Sequence, residues 1–445
     1  MDRLQTSSIE LLIRNRDWVG LRRAFQNLPA PEIADLLLKL EKPDRVLMFR
    51  SLPRHLSSEV ASYLDADQLD LLLRELTDEE TRQVLADLRP DDRTSLLEEL
   101  PGQLTQRLLN LLSLEDLKEA RQLLGYPEES VGRLMTPDYV AVKPHWTVEQ
   151  AIEHIRKKGK DSETISTIYI VDDRWKLIDA IDVKQIILAN PQDRVEHLMD
   201  RSFVSLSAFD DREKAVLAMQ RYDLFVLPVV DSEGILLGIV TADDVMDVAQ
   251  DEATEDFHRS AAVAPLADRY TETSIWELYR KRIGWLVALV LLNLLSSGVM
   301  AAYENTLASA IALAFFIPLL IDSGGNAGSQ SATLMVRALA TGDLKLTQWA
   351  WTVGKEIVVG ASLGLTMAGA SWVLGLMRGG YQIALVVSLS MACIVVVANI
   401  IGTGLPFLLT RFGLDPAVAS SPLITTVADA AGLLIYFGFA RMILG

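Results

Sequence analysis

Asp429 stands within Pro422-Leu-Ile-Thr-Thr-Val-Ala-Asp-Ala-Ala-Gly-Leu-Leu-Ile-Tyr436, the last hydrophobic segment of a 445-residue chain, with no basic residue near it in sequence. A carboxylate near a bilayer midplane costs roughly 2.5 to 3.5 kcal/mol even on the lenient insertion scale, so it faces a protein interior or water. Such a residue belongs to an ion or proton path, or else is a protonated Asp that packs helices. A second group of acids lies between Thr241 and Phe257: Asp243, Asp244, Asp247, Asp251, Glu252, Glu255 and Asp256, with no Lys or Arg among them. Steps of four place Asp243, Asp247, Asp251 and Glu255 on one helix face, where like charges repel. A hard, oxygen-seeking divalent cation such as Mg²⁺ or Ca²⁺ would relieve that repulsion; a solvated acidic face is the alternative.

The elements that hold these residues are segregated by polarity. Charge is concentrated before about residue 282. Beyond it lie the uncharged runs 283–303, 305–321, 357–377 and 379–410, and a fifth, 416–440, interrupted only by Asp429. Each is about as long as the ~20 residues that span a bilayer, so five transmembrane helices are expected. Met1 to Arg50 is charged and helical in pattern rather than a signal peptide, which keeps the N-terminal part in the cytoplasm. Arg280, Lys281, Arg282, Lys345, Lys355 and Arg411 fall on the same side, against Arg378 and Arg441 opposite, so the C-terminus is expected outside. The single Cys393 excludes an intramolecular disulfide and a cysteine metal cluster. A net charge of −17 argues against nucleic acid as a partner and suits cations.

Within the first 115 or so residues leucine recurs every twelve positions, at 28, 40, 52, 64, 76, 88, 100 and 112, and Pro29, Pro53 and Pro101 follow three of them. The residues three and four before each leucine are apolar, so every period reads as a short amphipathic helix and turn that must stack on its neighbours. From about Val131 to Asp247 the pattern changes. Leu134-Met135-Thr136 recurs as Leu198-Met199-Asp200, and Ile168 to Asp172 as Leu227 to Asp231, giving two βαββα units. These residues resemble a pair of cystathionine-β-synthase (CBS) domains. That resemblance implies adenine-nucleotide binding through Gly-x-x-Thr-x-x-Asp, present at Gly238, Thr241 and Asp244, whereas the first unit has Asp179, Asp182 and Gln185 instead.

In the membrane half, Phe316-Ile-Pro-Leu-Leu-Ile-Asp-Ser-Gly-Gly-Asn-Ala-Gly-Ser-Gln-Ser-Ala-Thr333 carries too many small and polar residues for a lipid-facing helix. Together with Pro422 to Gly432, Leu405-Pro406-Phe407 and Asp415-Pro416, this run resembles the MgtE family of magnesium channels. The resemblance covers the whole chain. It implies a homodimer in the lipid bilayer whose pore lies at the subunit interface, with Asp429 of both subunits holding a hydrated divalent ion and Gly324, Gly325, Asn326, Ser421 and Gly432 lining the path. It also implies that Asp223, Asp244, Asp247, Glu255, Asp256 and Asp415 form a cytoplasmic Mg²⁺ sensor that closes the pore when internal Mg²⁺ is high. Ser329 and Ser421 stand where many relatives have Asn, and Ala428 where some have Ser.

The expected architecture is a multidomain α plus α/β membrane protein. It comprises a helical superhelix over 1–128, CBS domains over 129–192 and 193–250, a connecting (plug) helix over 251–282 and a five-helix pore domain over 283–445. The expected function is Mg²⁺ uptake through a gated channel in the inner (plasma) membrane, with Mg²⁺ as ligand and ATP as a candidate regulator. A cation-coupled secondary transporter of Mg²⁺, Mn²⁺ or Co²⁺ is the competing reading, and a membrane receptor a third. The five histidines form no spaced metal pair, and no phosphate loop or nucleophile motif appears, so enzymatic activity is not expected.

Overall fold

The computed structural model describes residues 9, 11–13, 15, 17–25, 28–64, 66–100, 102–266, 270 and 273–444. Pro101, 267–269 and 271–272, on which parts of the turn pattern and of the connecting segment fall, lie outside the described residues. The chain divides into two compact units, 1–249 and 250–445.

The first unit opens with short helices at Trp18–Phe25, Ala30–Lys39, Lys42–Ser51, Arg54–Ser62, Ala66–Leu73, Asp78–Asp87, Pro90–Glu99, Gly102–Leu109 and Leu114–Leu123. The twelve-residue period is visible in their core. Leu40, Leu52, Leu64, Leu76, Leu88 and Leu100 are buried, as are Leu36, Met48, Val60, Leu72, Val84, Leu96 and Leu108 four residues before a period leucine. Each fully buried aliphatic side chain contributes about 1.5–3 kcal/mol relative to exposure, so helices too short to persist alone are held by stacking. Pro29 and Pro53 serve as N-caps of the helices that follow, where a missing N–H costs nothing.

The two βαββα units follow. Strands β1 (Ala141–Val142), β2 (Thr167–Val171) and β3 (Leu177–Asp182) form one sheet, and β4 (Leu206–Ser207), β5 (Val226–Val230) and β6 (Leu236–Thr241) the other. In each, the first pair is parallel and the second antiparallel, and the register shifts at matching places, Ile170/Val171 and Val229/Val230. Tyr169, Val171 and Leu177 of one sheet share a core with Val226, Leu236 and Ile239 of the other, which makes the pair one packed body. Helix Ala242–Ser260, which begins in the first unit and ends in the second, carries the acidic run on the expected element.

Among its described residues the second unit holds four helical stretches long and apolar enough to cross a membrane: Ile275–Ala302, Ile311–Ala340, Leu346–Arg411 and Ser421–Leu444. The third contains the 63-residue helix Trp349–Arg411, broken at Gly380, whose φ of 77° and ψ of −172° lie outside helical space. The uncharged run 305–321 is not one helix. Glu304–Ser309 and a 3₁₀ turn at Ile311–Phe316 precede the helix Ile317–Ala340, which starts where Pro318 occupies the first turn. Counting charges misplaced this span because Asp322 ended the run within a polar helix that needs no lipid-facing surface all round.

Candidate functional site

In the second unit, helices Ile317–Ala340 and Ser421–Leu444 enclose a cavity of about 730 Å³ lined by Asp322, Gly325, Asn326, Thr425 and Asp429 with Pro318, Leu319 and Ile321. Glycines permit the approach. A Cβ at Gly325 would sit 3.1 Å from Thr425 Cγ2 and 3.6 Å from Asp429 Oδ1; at Gly324 it would collide with Ile394 Cγ2 at 2.5 Å. Gly432, buried in the opposite helix, meets Ile321 and Ile394 in the same way. Asn326 Nδ2 donates to Asp322 Oδ2 at 3.3 Å, and the Ser421 hydroxyl donates to Ser329 Oγ at 3.0 Å, tying the two helices at one end. Among the described residues no basic side chain lines the cavity. Asp322 was not singled out from the sequence, although its position four residues before Asn326 in the polar span was the available signal.

A second acidic group lies within the first unit. Asp91 and Asp92 occupy the first turn of helix Pro90–Glu99, and Asp243 and Asp244 that of Ala242–Ser260, where helix dipoles favour negative charge. Glu163, in the loop before β2, joins them. Arg89 pairs with Glu163 and also lies near Asp91, Asp92 and Asp243. Burial, followed by the neighbouring Asp244 and Asp92, holds Asp91 well above the ordinary carboxylate range. Burial also pushes Asp244 up to about 7, against a hydrogen bond from Thr241 Oγ1 at 2.8 Å, with Asp243, Asp92 and Glu163 adding repulsion. Nearby acids are settled differently: buried Arg93 pairs with Asp116 at 3.3 Å and Glu119 at 2.5 Å. The Asp91 group thus carries more acids than Arg89 alone can balance.

The expected sensor residues divide between the units. Asp244 joins the Asp91 group. Asp223 is exposed at the C-terminus of helix Glu213–Tyr222, in the left-handed region at φ 53°, and Asp247 is exposed on Ala242–Ser260. In the second unit Arg259 bridges Glu255 and Asp415, so those two acids already have a counter-charge. The sequence reading of an uncompensated face missed this because Arg259 lies just beyond the acidic run and Asp415 far along the chain. Burial, with Asp415 and Glu252 close by, raises Asp256. Among the described residues no three His, Cys, Asp or Glu side chains converge with the spacing of a direct metal centre.

The residues of the nucleotide pattern make contacts of their own. A Cβ at Gly238 would lie 2.7 Å from the Thr136 carbonyl, so this glycine serves strand packing. The Thr241 hydroxyl is taken by Asp243 and Asp244. In the first CBS unit, fully buried Asp179 accepts from the backbone N–H of Asp200 and Arg201 at 3.0 and 2.9 Å, and Asp182 caps helix Val183–Leu188.

Family models match three regions: the MgtE intracellular N domain at 28–129, CBS domains at 131–191 and 195–251, and the divalent cation transporter MgtE at 317–439. The magnesium transporter MgtE of Thermus thermophilus is 43% identical over 341 residues, covering 76% of this chain and 75% of that protein. The chain belongs to the MgtE family. The Bacillus subtilis magnesium transporter MgtE is 32% identical over 75% of this chain and 73% of its own. Among solved structures, the cytosolic domain of the Mg²⁺ channel MgtE in complex with ATP aligns at TM-score 0.53 and 33% identity, covering 55% of this chain and 99% of that one. The N domain and CBS pair of this MgtE-family chain precede its apolar helices, as the sequence reading had them, and its MgtE relatives are named as transporters, not enzymes.

Proposed function

We propose that this protein is a Mg²⁺ channel, active as a homodimer in the inner (plasma) membrane, that conducts through the Asp429 cavity and closes when cytoplasmic Mg²⁺ is high. The observation that carries this reading is the cavity itself, bordered by two carboxylates, an amide and a hydroxyl, without a base, inside the region matched as a divalent cation transporter. Mg²⁺ sheds water reluctantly and prefers octahedral oxygen geometry. A wide acidic cavity with few ligands suits a hydrated ion held through its waters, and loose binding lets the ion leave. Break of the long helix at Gly380 supports a count of five spans, with the N-terminus cytoplasmic and the C-terminus outside.

Gating follows from the soluble acids. Mg²⁺ entering the Asp91, Asp92, Asp243 and Asp244 group would cancel their repulsion and draw the superhelix and CBS pair together; its loss would part them. Asp223, Asp247, Glu255, Asp256 and Asp415 would complete the sensor, Glu255 and Asp415 trading Arg259 for the ion. A ligand that binds one arrangement better shifts the population toward it.

Divalent flux through the purified dimer in liposomes tests the reading. Current should reverse at the Mg²⁺ equilibrium potential, fall with internal Mg²⁺, and vanish in Asp429→Ala. Strict dependence of uptake on a proton or Na⁺ gradient would instead establish the coupled transporter. ATP is a second regulatory ligand in this proposal, favoured by the ATP complex of the similar cytosolic domain. Calorimetry should show ATP binding lost in Thr241→Val; heat unchanged in that variant would remove the Gly238, Thr241, Asp244 site.

A further inference from the structure

Glu356 lies buried in the second turn of helix Trp349–Arg411, at 8% exposure. Its Oε2 accepts from Ser331 Oγ at 3.0 Å and from Asn399 Nδ2 at 3.3 Å, so helix Ile317–Ala340 and both sides of the Gly380 break meet on one carboxylate oxygen. Gly360 makes room, since a Cβ there would stand 3.2 Å from Asn399 Nδ2. No Lys, Arg or His forms an ion pair with Glu356 among the described residues. The basic residues nearest in sequence on these helices are turned to other uses: Lys355 Nζ lies 5.5 Å over the Trp351 ring, and Arg337 is exposed.

The surroundings are short of one positive centre. Asn399 is 1% exposed and its Oδ1 has no partner. Oxygen and nitrogen of an amide are assigned from the hydrogen-bond network. In the orientation above, Oδ1 is orphaned; turned over, it would face Glu356 Oε2, acceptor against acceptor. One turn further on, Thr403 is fully buried and its hydroxyl also lacks a partner. An ionised carboxylate buried among neutral groups, beside unpaired acceptors, is stabilised only when something positive joins it.

We propose that Glu356, Ser331 and Asn399 form a second cation site, apart from the Asp429 cavity, that takes one monovalent positive ion. One carboxylate among amide and hydroxyl oxygens matches a single charge. A divalent ion would want more anionic ligands, and no three acids converge here. Na⁺ and the proton are the two sources of that charge. The site ties three helical stretches together, so filling it stabilises the packed membrane unit whatever passes Asp429.

The test is the melting temperature of the purified full chain, without divalent ions, in two arms. One titrates Na⁺ against N-methylglucamine at constant ionic strength and pH; the other lowers the pH without Na⁺. Wild type, Glu356→Gln and Asp429→Asn are compared. A ligand that binds only the folded form stabilises in proportion to the logarithm of its concentration above Kd. If Na⁺ fills the site, wild type and Asp429→Asn gain a few degrees with Na⁺ while Glu356→Gln stays flat. If the proton fills it, the difference appears in the pH arm, read as wild type minus Glu356→Gln so that other carboxylates cancel. Should Glu356→Gln not fold, Asn399→Ala keeps the carboxylate and should move the midpoint about tenfold. Variants that track wild type in both arms, or a wild type indifferent to both ions, would overturn the proposal. Because no flux is read, its failure is separate from failure of the channel reading.

Discussion

The two carboxylate groups, Asp91 with its neighbours in the soluble unit and Asp429 with Asp322 in the membrane unit, differ in crowding. Asp91, Asp92, Glu163 and Asp243 share Arg89, Asp244 lies beside them, and burial drives Asp91 and Asp244 upward. Asp322 and Asp429 border an open cavity of about 730 Å³ instead. Crowded acids store repulsion that a divalent ion releases, which suits a sensor. Two acids at the edge of a wide cavity attract an ion without gripping it, which suits a path.

The largest expected effect would break the membrane half of this contrast. Asp429→Ala should abolish divalent flux while circular dichroism stays native; retained flux refutes the path. Next comes Gly325→Ala, whose new Cβ would press Thr425 Cγ2 at 3.1 Å. Overpacking of this kind costs about 1–3 kcal/mol, and flux should drop several-fold as helix Ser421–Leu444 is pushed away.

The soluble half is sharpened by Asp91→Asn and Asp244→Asn. Each should raise melting temperature in a chelator and shrink the further rise that Mg²⁺ produces; an unchanged Mg²⁺ response would dismiss these acids as sensors. The pH dependence has a definite sign. Folded-state values above unfolded ones mean the folded protein holds protons that the unfolded chain has released, so stability falls as pH rises from the ordinary carboxylate range toward 7. Chelated protein should therefore melt lower at pH 8 than at pH 5 through this group, and Mg²⁺ should erase the difference above pH 7. The smallest effect is reserved for Ser421→Asn. It replaces a hydroxyl that bonds Ser329 at 3.0 Å with an amide, and should change the Mn²⁺ to Mg²⁺ flux ratio a few-fold at a stability cost of no more than about 1 kcal/mol.

Local patterns were readable from the chain because they repeat: the leucine period, the paired βαββα units and the acidic helix all appear where spacing placed them. Groups assembled by distant segments were not. Asp91 and Asp244 are 153 positions apart in number, and nothing in either local sequence announces the other. Glu356 escaped because it borders an uncharged run instead of interrupting one. Asp179 read as a failed glycine, whereas the fold uses its carboxylate to fasten the backbone at Asp200 and Arg201. The converse error concerned Glu255 and Asp415, whose shared partner Arg259 is settled by tertiary approach.

Where Gly402 crosses Gly328, a Cβ at 402 would stand 2.1 Å from the Gly328 carbonyl oxygen. Two backbones so close leave no slack for a side chain and no room to slide, since any axial step would drive a larger residue into the crossing. The polar helix that carries Asp322 and Asn326 is thereby keyed to its neighbour like a mortise, and the pair must travel as a single lever. Any widening of the Asp429 cavity is then left to its other wall, helix Ser421–Leu444.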